Sequence, residues 1–274
     1  MSAVMPTVPK LEKPGRVTFP GVLRSEWTKF RSVRSTLWCV GITVVLSILI
    51  PILVAIINRT HWSQMNPSEQ ANRHPLDIAF VGIFIAQLVI AVLGVLLISA
   101  EYSTGSIRST MTAVPKRLPV LWAKLLDYAL FTMALMVPAV LISFFSTQAI
   151  FDTIPQLQVS FSAPGVARCV LMGAVYVTMV GIFALALGAI VRNTAGGIAT
   201  FAGIFFVIPP LMNLLPTNWN NAISQYLPPN AGTQMFSLDH AAHTLTPLAG
   251  GVVFAGYCAV AITIAAVLLR RRDV

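Results

Sequence analysis

Hydrophobic positions do not alternate along this chain; they come in unbroken blocks. Six runs stand out: Leu37–Ile57, Ile78–Ala100, Trp122–Phe145, Val170–Val191, Ala195–Leu215 and Leu248–Leu269. A helix needs about 20 apolar residues to cross about 30 Å of hydrocarbon, and each run meets that length. Exposed strands could not satisfy their backbone in lipid, so the runs read as helices. Lys124 and Asp127 are the only charged residues inside them, both in the first turns of the third run. Their i, i+3 spacing allows them to pair with each other near the headgroups instead of deep in lipid. Pro51, Pro138, Pro209 and Pro210 fall inside runs and predict kinks, with movable gates the alternative.

Before the first run the pattern changes to a helical period. Leu23, Trp27, Phe30, Val33 and Leu37 share one face, while Arg24, Thr28, Arg31 and Ser35 line the other. A basic amphipathic helix with an aromatic edge lies in the headgroup plane. The plainer alternative is an anchor that only holds the N-terminus inside. Residues 1–20, polar with four prolines, read as a flexible cytosolic tail and not as a cleavable signal, whose apolar core would come earlier. Residues 21–274 then form a single transmembrane domain.

Composition agrees with a membrane setting. Of 274 residues 56% are hydrophobic and 10% charged, and the mean hydropathy is +0.79. Soluble domains carry about a quarter charged residues. The net charge of +9 is not spread over one face, so it does not point to nucleic acid; the basic residues flank the apolar runs. With the N-terminus inside, fifteen of them fall on the inner side: Lys10, Lys13, Arg16, Arg24, Lys29, Arg31, Arg34, Arg108, Lys116, Arg117, Lys124, Arg192, Arg270, Arg271 and Arg272. Three remain outside: Arg59, Arg73 and Arg168. The positive-inside rule then places both termini in the cytosol. The fold class expected is all-α: six transmembrane helices preceded by an interfacial one.

Candidate chemistry is sparse. Cys39, Cys169 and Cys258 sit in or beside apolar runs and read as small buried hydrophobes. Asp239, His240 and His243 form DHAAH, which lacks the glutamate of HExxH and a third ligand. There is no Gly-Lys dipeptide, hence no Walker A loop, and no carboxylate, lysine or arginine near the centre of any run. The chain is therefore expected to be no enzyme, to carry no cofactor or metal of its own, and to take energy for transport from another polypeptide.

Two interruptions between runs stand out. In AEYSTGSIRSTMTAVPKR, residues 100–117, Tyr102, Ile107, Met111 and Val114 form a loosely apolar face, Gly105 interrupts it, and Pro115 closes it before Lys116 and Arg117. An oily side with a basic end suits docking into a groove on a partner; a solvated loop is the alternative. In GAIVRNTAGG, residues 188–197, Arg192, Asn193 and Thr194 make a turn and the glycines permit close helix packing, which a plain helical hairpin also explains.

In order along the chain, LRSEWTKFRSVRST (23–36), AEYSTGSIRSTMTAVPKR (100–117), GAIVRNTAGG (188–197) and LPPNAG (227–232) resemble segments of the membrane subunits of type-2 ABC exporters, particularly short six-span bacterial permeases. The resemblance implies an interfacial helix bearing Leu23, Glu26, Trp27, Lys29, Phe30, Arg31 and Arg34. It implies an ATPase-coupling loop comprising Glu101, Tyr102, Gly105, Ile107, Arg108, Met111, Pro115, Lys116 and Arg117, in which Ile107 and Met111 supply the apolar contact and the charged members orient it. The second cytosolic turn is then Arg192, Asn193 and Thr194. It further implies two copies of an ABC ATPase subunit as partners, carrying the ATP and Mg, a second copy of this chain or a paralogous permease, and a bacterial cell membrane. The cargo expected is amphipathic, lipid-like or drug-like, exported from the cell. A non-transporting scaffold or sensor that anchors a cytosolic partner is the competing expectation.

Overall fold

The computed structural model describes residues 18–32, 34–103, 105, 117–238 and 243–271, without the side chains of Phe30, Arg31, Ser32, Arg34, Ser103 and Arg117. Every regular element among them is helical. Helix α1 spans Phe19–Ser32 and α2 spans Arg34–His61. After a short turn and α3 (Pro67–Ala71) comes α4, Pro75–Ser103. Next are α5 (Arg117–Ile150) and α6 (Val166–Val191). The fifth run breaks into α7 (Thr194–Ala202), a π turn at Gly203–Val207 and α8 (Ile208–Met212). Short helices α9 (Thr217–Ile223) and α10 (Pro228–Gln234) precede α11, Pro247–Arg271. Six of the helical segments are long and apolar enough to cross a membrane, which makes the chain multi-pass in pattern.

Helix α6 is the axis of the bundle. Its most apolar stretch is 72% buried, against 17–33% for the spans built on α2, α5, α7–α8 and α11. Glycines set how closely it meets α4. A Cβ on Gly94 would stand 2.6 Å from the Gly181 carbonyl oxygen, and one on Gly188 would stand 3.1 Å from Val95 Cα. Without water to drive helices together, such small-residue crossings let backbones approach and gain dispersion contacts. Tyr128 of α5 fills the space beside Gly181 and donates to the Ile90 carbonyl at 2.6 Å.

The prolines act unequally. Helices α2 and α5 continue through Pro51 and Pro138. The fifth run does not continue as one α-helix, because Pro209 and Pro210 remove two successive amide donors. The π turn just before them takes up the mismatch, as such turns do inside helices.

LPPNAG becomes α10, a short helix folded back against α6 and α11. Pro228, Pro229, Ala231 and Gly232 are buried there. A side chain on Gly232 would strike the Tyr176 ring, and one on Gly250 would strike the Ala231 carbonyl. Tyr176 in turn donates to Gln87 Oε1 at 2.6 Å, tying α6 to α4.

Candidate functional site: an ionic junction at the root of residues 104–116

At one end of the bundle α4 stops and α5 starts; residues 104–116 join them, and this is the loop end below. Ile107, Arg108, Met111, Pro115 and Lys116 lie outside the described residues, as do Asp239 and His240 of the DHAAH segment. What is described is how the two roots of the connection are held. Helix α4 ends at Ser103, and Gly105 takes the left-handed φ of 70° that follows many helix ends. Arg117 is the first residue of α5.

Glu101, in the last turn of α4, is the first strut. Lys124 of α5 donates to Glu101 Oε1 at 2.9 Å and to Glu26 Oε2 of α1. Lys29 of α1 donates to Glu26 Oε1 at 2.8 Å and to Glu101 Oε1 at 3.3 Å. Two ammoniums and two carboxylates from three helices thus close an alternating ring. The Glu26 and Lys124 side chains are each 4% exposed. A carboxylate at the negative end of α4 is unfavourable by itself, and the two lysines offset it.

Burial by itself would raise the carboxyl of Glu26; the charges and hydrogen bonds of Lys124 and Lys29 outweigh it and hold it below the ordinary range. Burial would likewise lower Lys29, and its bonds to Glu26 and Glu101 reverse the sign and raise it. Glu26 and Lys29 are therefore both charged at neutral pH.

This geometry corrects the expected Lys124–Asp127 pair. Lys124 turns instead to carboxylates on two other helices, which satisfy its donors inside the protein. Asp127 is buried beside the ring, and its Oδ2 accepts no hydrogen bond among the described residues.

Helix α1 meets the bundle chiefly on the side of Val22 and Glu26. Val22 and Glu26 are buried, with Val22 against Val120 and Ala123 of α5. Val22, Glu26 and Lys29 are spaced i, i+4 and i+7, so they share a side. Leu23 is half-buried, while Trp27 stays 41% exposed with its ring edge on Phe131 at 6.1 Å. The buried side carries the ion pairs; the aromatic side faces out.

Tyr102, the next residue of α4, is the second strut. The Arg192 guanidinium lies 5.0 Å from its ring centroid and donates through Nη2 to the Leu268 carbonyl of α11 at 3.4 Å. Arg192 adopts left-handed φ 58° to end α6, which turns its side chain back across the bundle end. Asn193 caps α7 by accepting from Gly196 N at 2.8 Å. Thr194 and Ser99 of α4 share a hydroxyl hydrogen bond at 2.8 Å, and a Cβ on Gly197 would stand 2.8 Å from Val95 Cγ1.

Three segments that are far apart in the chain therefore meet on one turn of α4. Glu101 gathers Glu26, Lys29 and Lys124, while Tyr102 and Ser99 gather Arg192 and Thr194. Sequence reasoning missed Lys124 as a member and missed that Glu26 is interior. Only the rarity of charge at the edge of an apolar run singled Lys124 out. Among the described residues no group of three or more His, Cys, Asp or Glu is placed to hold a metal ion.

No family model matches the chain, and no curated protein matches it.

Proposed function

We propose that this chain is the membrane-spanning permease subunit of an ATP-binding-cassette exporter, worked from the cytosol by a separate ATPase that docks on residues 101–117. The observation that carries the reading is the ring at Glu101. A segment that receives a mechanical push needs roots that cannot yield separately, and Glu101 and Lys124, one at each root, are bound to each other and to α1. A push on the connection then moves α1, α4 and α5 as one body, and Tyr102 with Arg192 passes it to the ends of α6 and α11. Six spans of which most are weakly buried support two packings that a partner biases.

In this reading the loop end is cytosolic, both termini lie inside, and α1 rests at the headgroups of a bacterial cell membrane. The ATP and Mg belong to the partner's two copies. A second copy of this chain, or a paralogue, covers part of the thinly buried α2 and α7–α8 surfaces. The cargo is amphipathic, lipid-like or drug-like.

The test is reconstitution with a candidate ATPase in vesicles. Cargo movement that requires ATP, together with ATPase stimulation by this chain that disappears when 107–111 becomes Gly-Ser, is the expected result. Stimulation without movement of any lipid, peptide or drug would favour the scaffold reading. Binding that ignores the Gly-Ser replacement would remove the docking claim. Single cysteines at Ser68 and Thr110, in a background freed of Cys39, Cys169 and Cys258, should label from outside and inside respectively.

A further inference from the structure

At the end of the bundle opposite the ionic ring, a groove of about 540 Å³ runs between α6 and α11. Its walls are Met172 and Met179 of α6, Met235, and Leu248 and Val252 of α11, with Arg168 at the mouth. Arg168, Met172 and Met179 recur at i, i+4 and i+11, so they line one face of α6 over about 16 Å. That length is about half the thickness of a bilayer's hydrocarbon, the depth of one leaflet. Methionine's unbranched thioether adapts to a flexible chain better than a branched side chain does.

The mouth is positive. The Arg168 guanidinium is held by the Met235 carbonyl at 3.1 Å and the Ser237 carbonyl at 2.9 Å, with a longer contact to Cys169 Sγ at 3.5 Å. Carbonyls fix its direction and, being neutral, do not themselves offset its charge. Among the described residues no carboxylate forms an ion pair with it. A guanidinium has five N–H donors, so two remain free of these contacts. Helices α6 and α11 both begin at this end, so the positive ends of two long dipoles add to the same sign. A cation at headgroup height above a leaflet-deep oily channel complements an anionic head with an acyl tail.

We propose that this groove holds one anionic phospholipid per chain, with its phosphate on Arg168 and one acyl chain along Met172 and Met179. The site needs no ATPase and stands independently of the transport reading. Arg168 also ties α6 to the segment after α10, so bound lipid would brace that junction from the membrane side.

The test uses the full-length chain, delipidated in detergent and examined by native mass spectrometry. It is offered palmitoyl-oleoyl phosphatidylglycerol, the phosphatidylcholine with the same tails, or inorganic phosphate. One phosphatidylglycerol should be retained per chain, about fivefold more readily than phosphatidylcholine, the preference one basic residue near a membrane surface provides. Arg168→Lys should keep most of that preference and Arg168→Gln should abolish it. Gly251→Leu, whose side chain projects into the groove beside Met235, should reduce retention of both lipids while leaving the charge in place. Equal retention of the two lipids by the native chain, undiminished preference in Arg168→Gln, or unchanged retention in Gly251→Leu would each overturn the proposal. So would phosphate alone displacing the lipid, or a mass showing a second copy of the chain in its place. Should Arg168→Gln not fold, the native, Arg168→Lys and Gly251→Leu results still decide.

Discussion

Lys124 and Glu26 lie 98 positions apart in the chain, yet they share a hydrogen bond in which both side chains are 4% exposed. Neither residue is buried by its own helix. Helix α1 lays Val22 and Glu26 on α5, and Lys124 then bridges to the last turn of α4. Because each ion depends on its partners for solvation, the two roots of residues 104–116 are bound together more firmly than exposed ion pairs would bind them.

Removing one charge should therefore be costly. Lys124→Met leaves Glu26 with only Lys29 and strips Glu101 of its shorter bond. A lost partner in a buried pair costs about 3–5 kcal/mol, on the order of 10 °C in the melting temperature of a chain this size. Glu26→Gln together with Lys124→Met should lose less than the sum of the two single losses in a detergent melting assay, because the second change removes the charge that the first leaves buried and unpaired. If the two single losses simply add in the double variant, the pairing is not what stabilises the junction.

The ring also sets a pH window. Glu26 is depressed, so its contribution is present above the ordinary carboxylate range and is lost as acid carries pH below about 4.3 and through the folded value. Lys29 is elevated, so its contribution is complete below about pH 10.4 and fades as pH rises past that point. Between these limits the contributions of Glu26 and Lys29 should both be complete. Glu26→Gln should flatten the acid limb and Lys29→Met the alkaline one in hydrogen-exchange measurements on residues 19–29. An acid limb unchanged in Glu26→Gln would assign it to another carboxylate.

Two glycines in apolar helices should respond in opposite directions. Gly94→Ala places a methyl 2.6 Å from a backbone oxygen of α6 that cannot move alone, an overpacking that costs about 1–3 kcal/mol. Gly256→Ala meets nothing within 4 Å and should be neutral or stabilising by up to about 1 kcal/mol, since alanine is the better helix former. Paired melting curves compare them directly; equal losses would contradict the close α4–α6 crossing.

Arg192 separates backbone from side chain. Both Arg192→Ala and Arg192→Gly lose the contacts to Tyr102 and Leu268, but only glycine is at ease at φ 58°. Arg192→Gly should accordingly be the milder change by about 1 kcal/mol, although glycine is the poorer helix residue. Chemical denaturation in mixed micelles would rank them, and alanine as the milder variant would refute a left-handed helix end.

Much of the architecture was legible because burial in lipid is a property of single segments. A run of apolar residues long enough to cross hydrocarbon has few other places to go, so all six spans follow from local composition. The split of the fifth span could be located at Pro209 and Pro210 but not described, since a π turn depends on what the freed carbonyls meet. The helical period of α1 identified the helix but not the side that meets α5, where one buried glutamate is tolerated because two lysines surround it.

Sequence by itself determined the six apolar spans, their order and the site of the interruption after Ala100. Each of these is decided within a window of some twenty residues. Tertiary structure alone decided that α6 is the axis, that α10 folds back onto Tyr176, and that Lys124 answers Glu26 and Glu101 instead of Asp127. Those are choices among partners, and a partner is selected by distance and desolvation in three dimensions, which no spacing along the chain encodes.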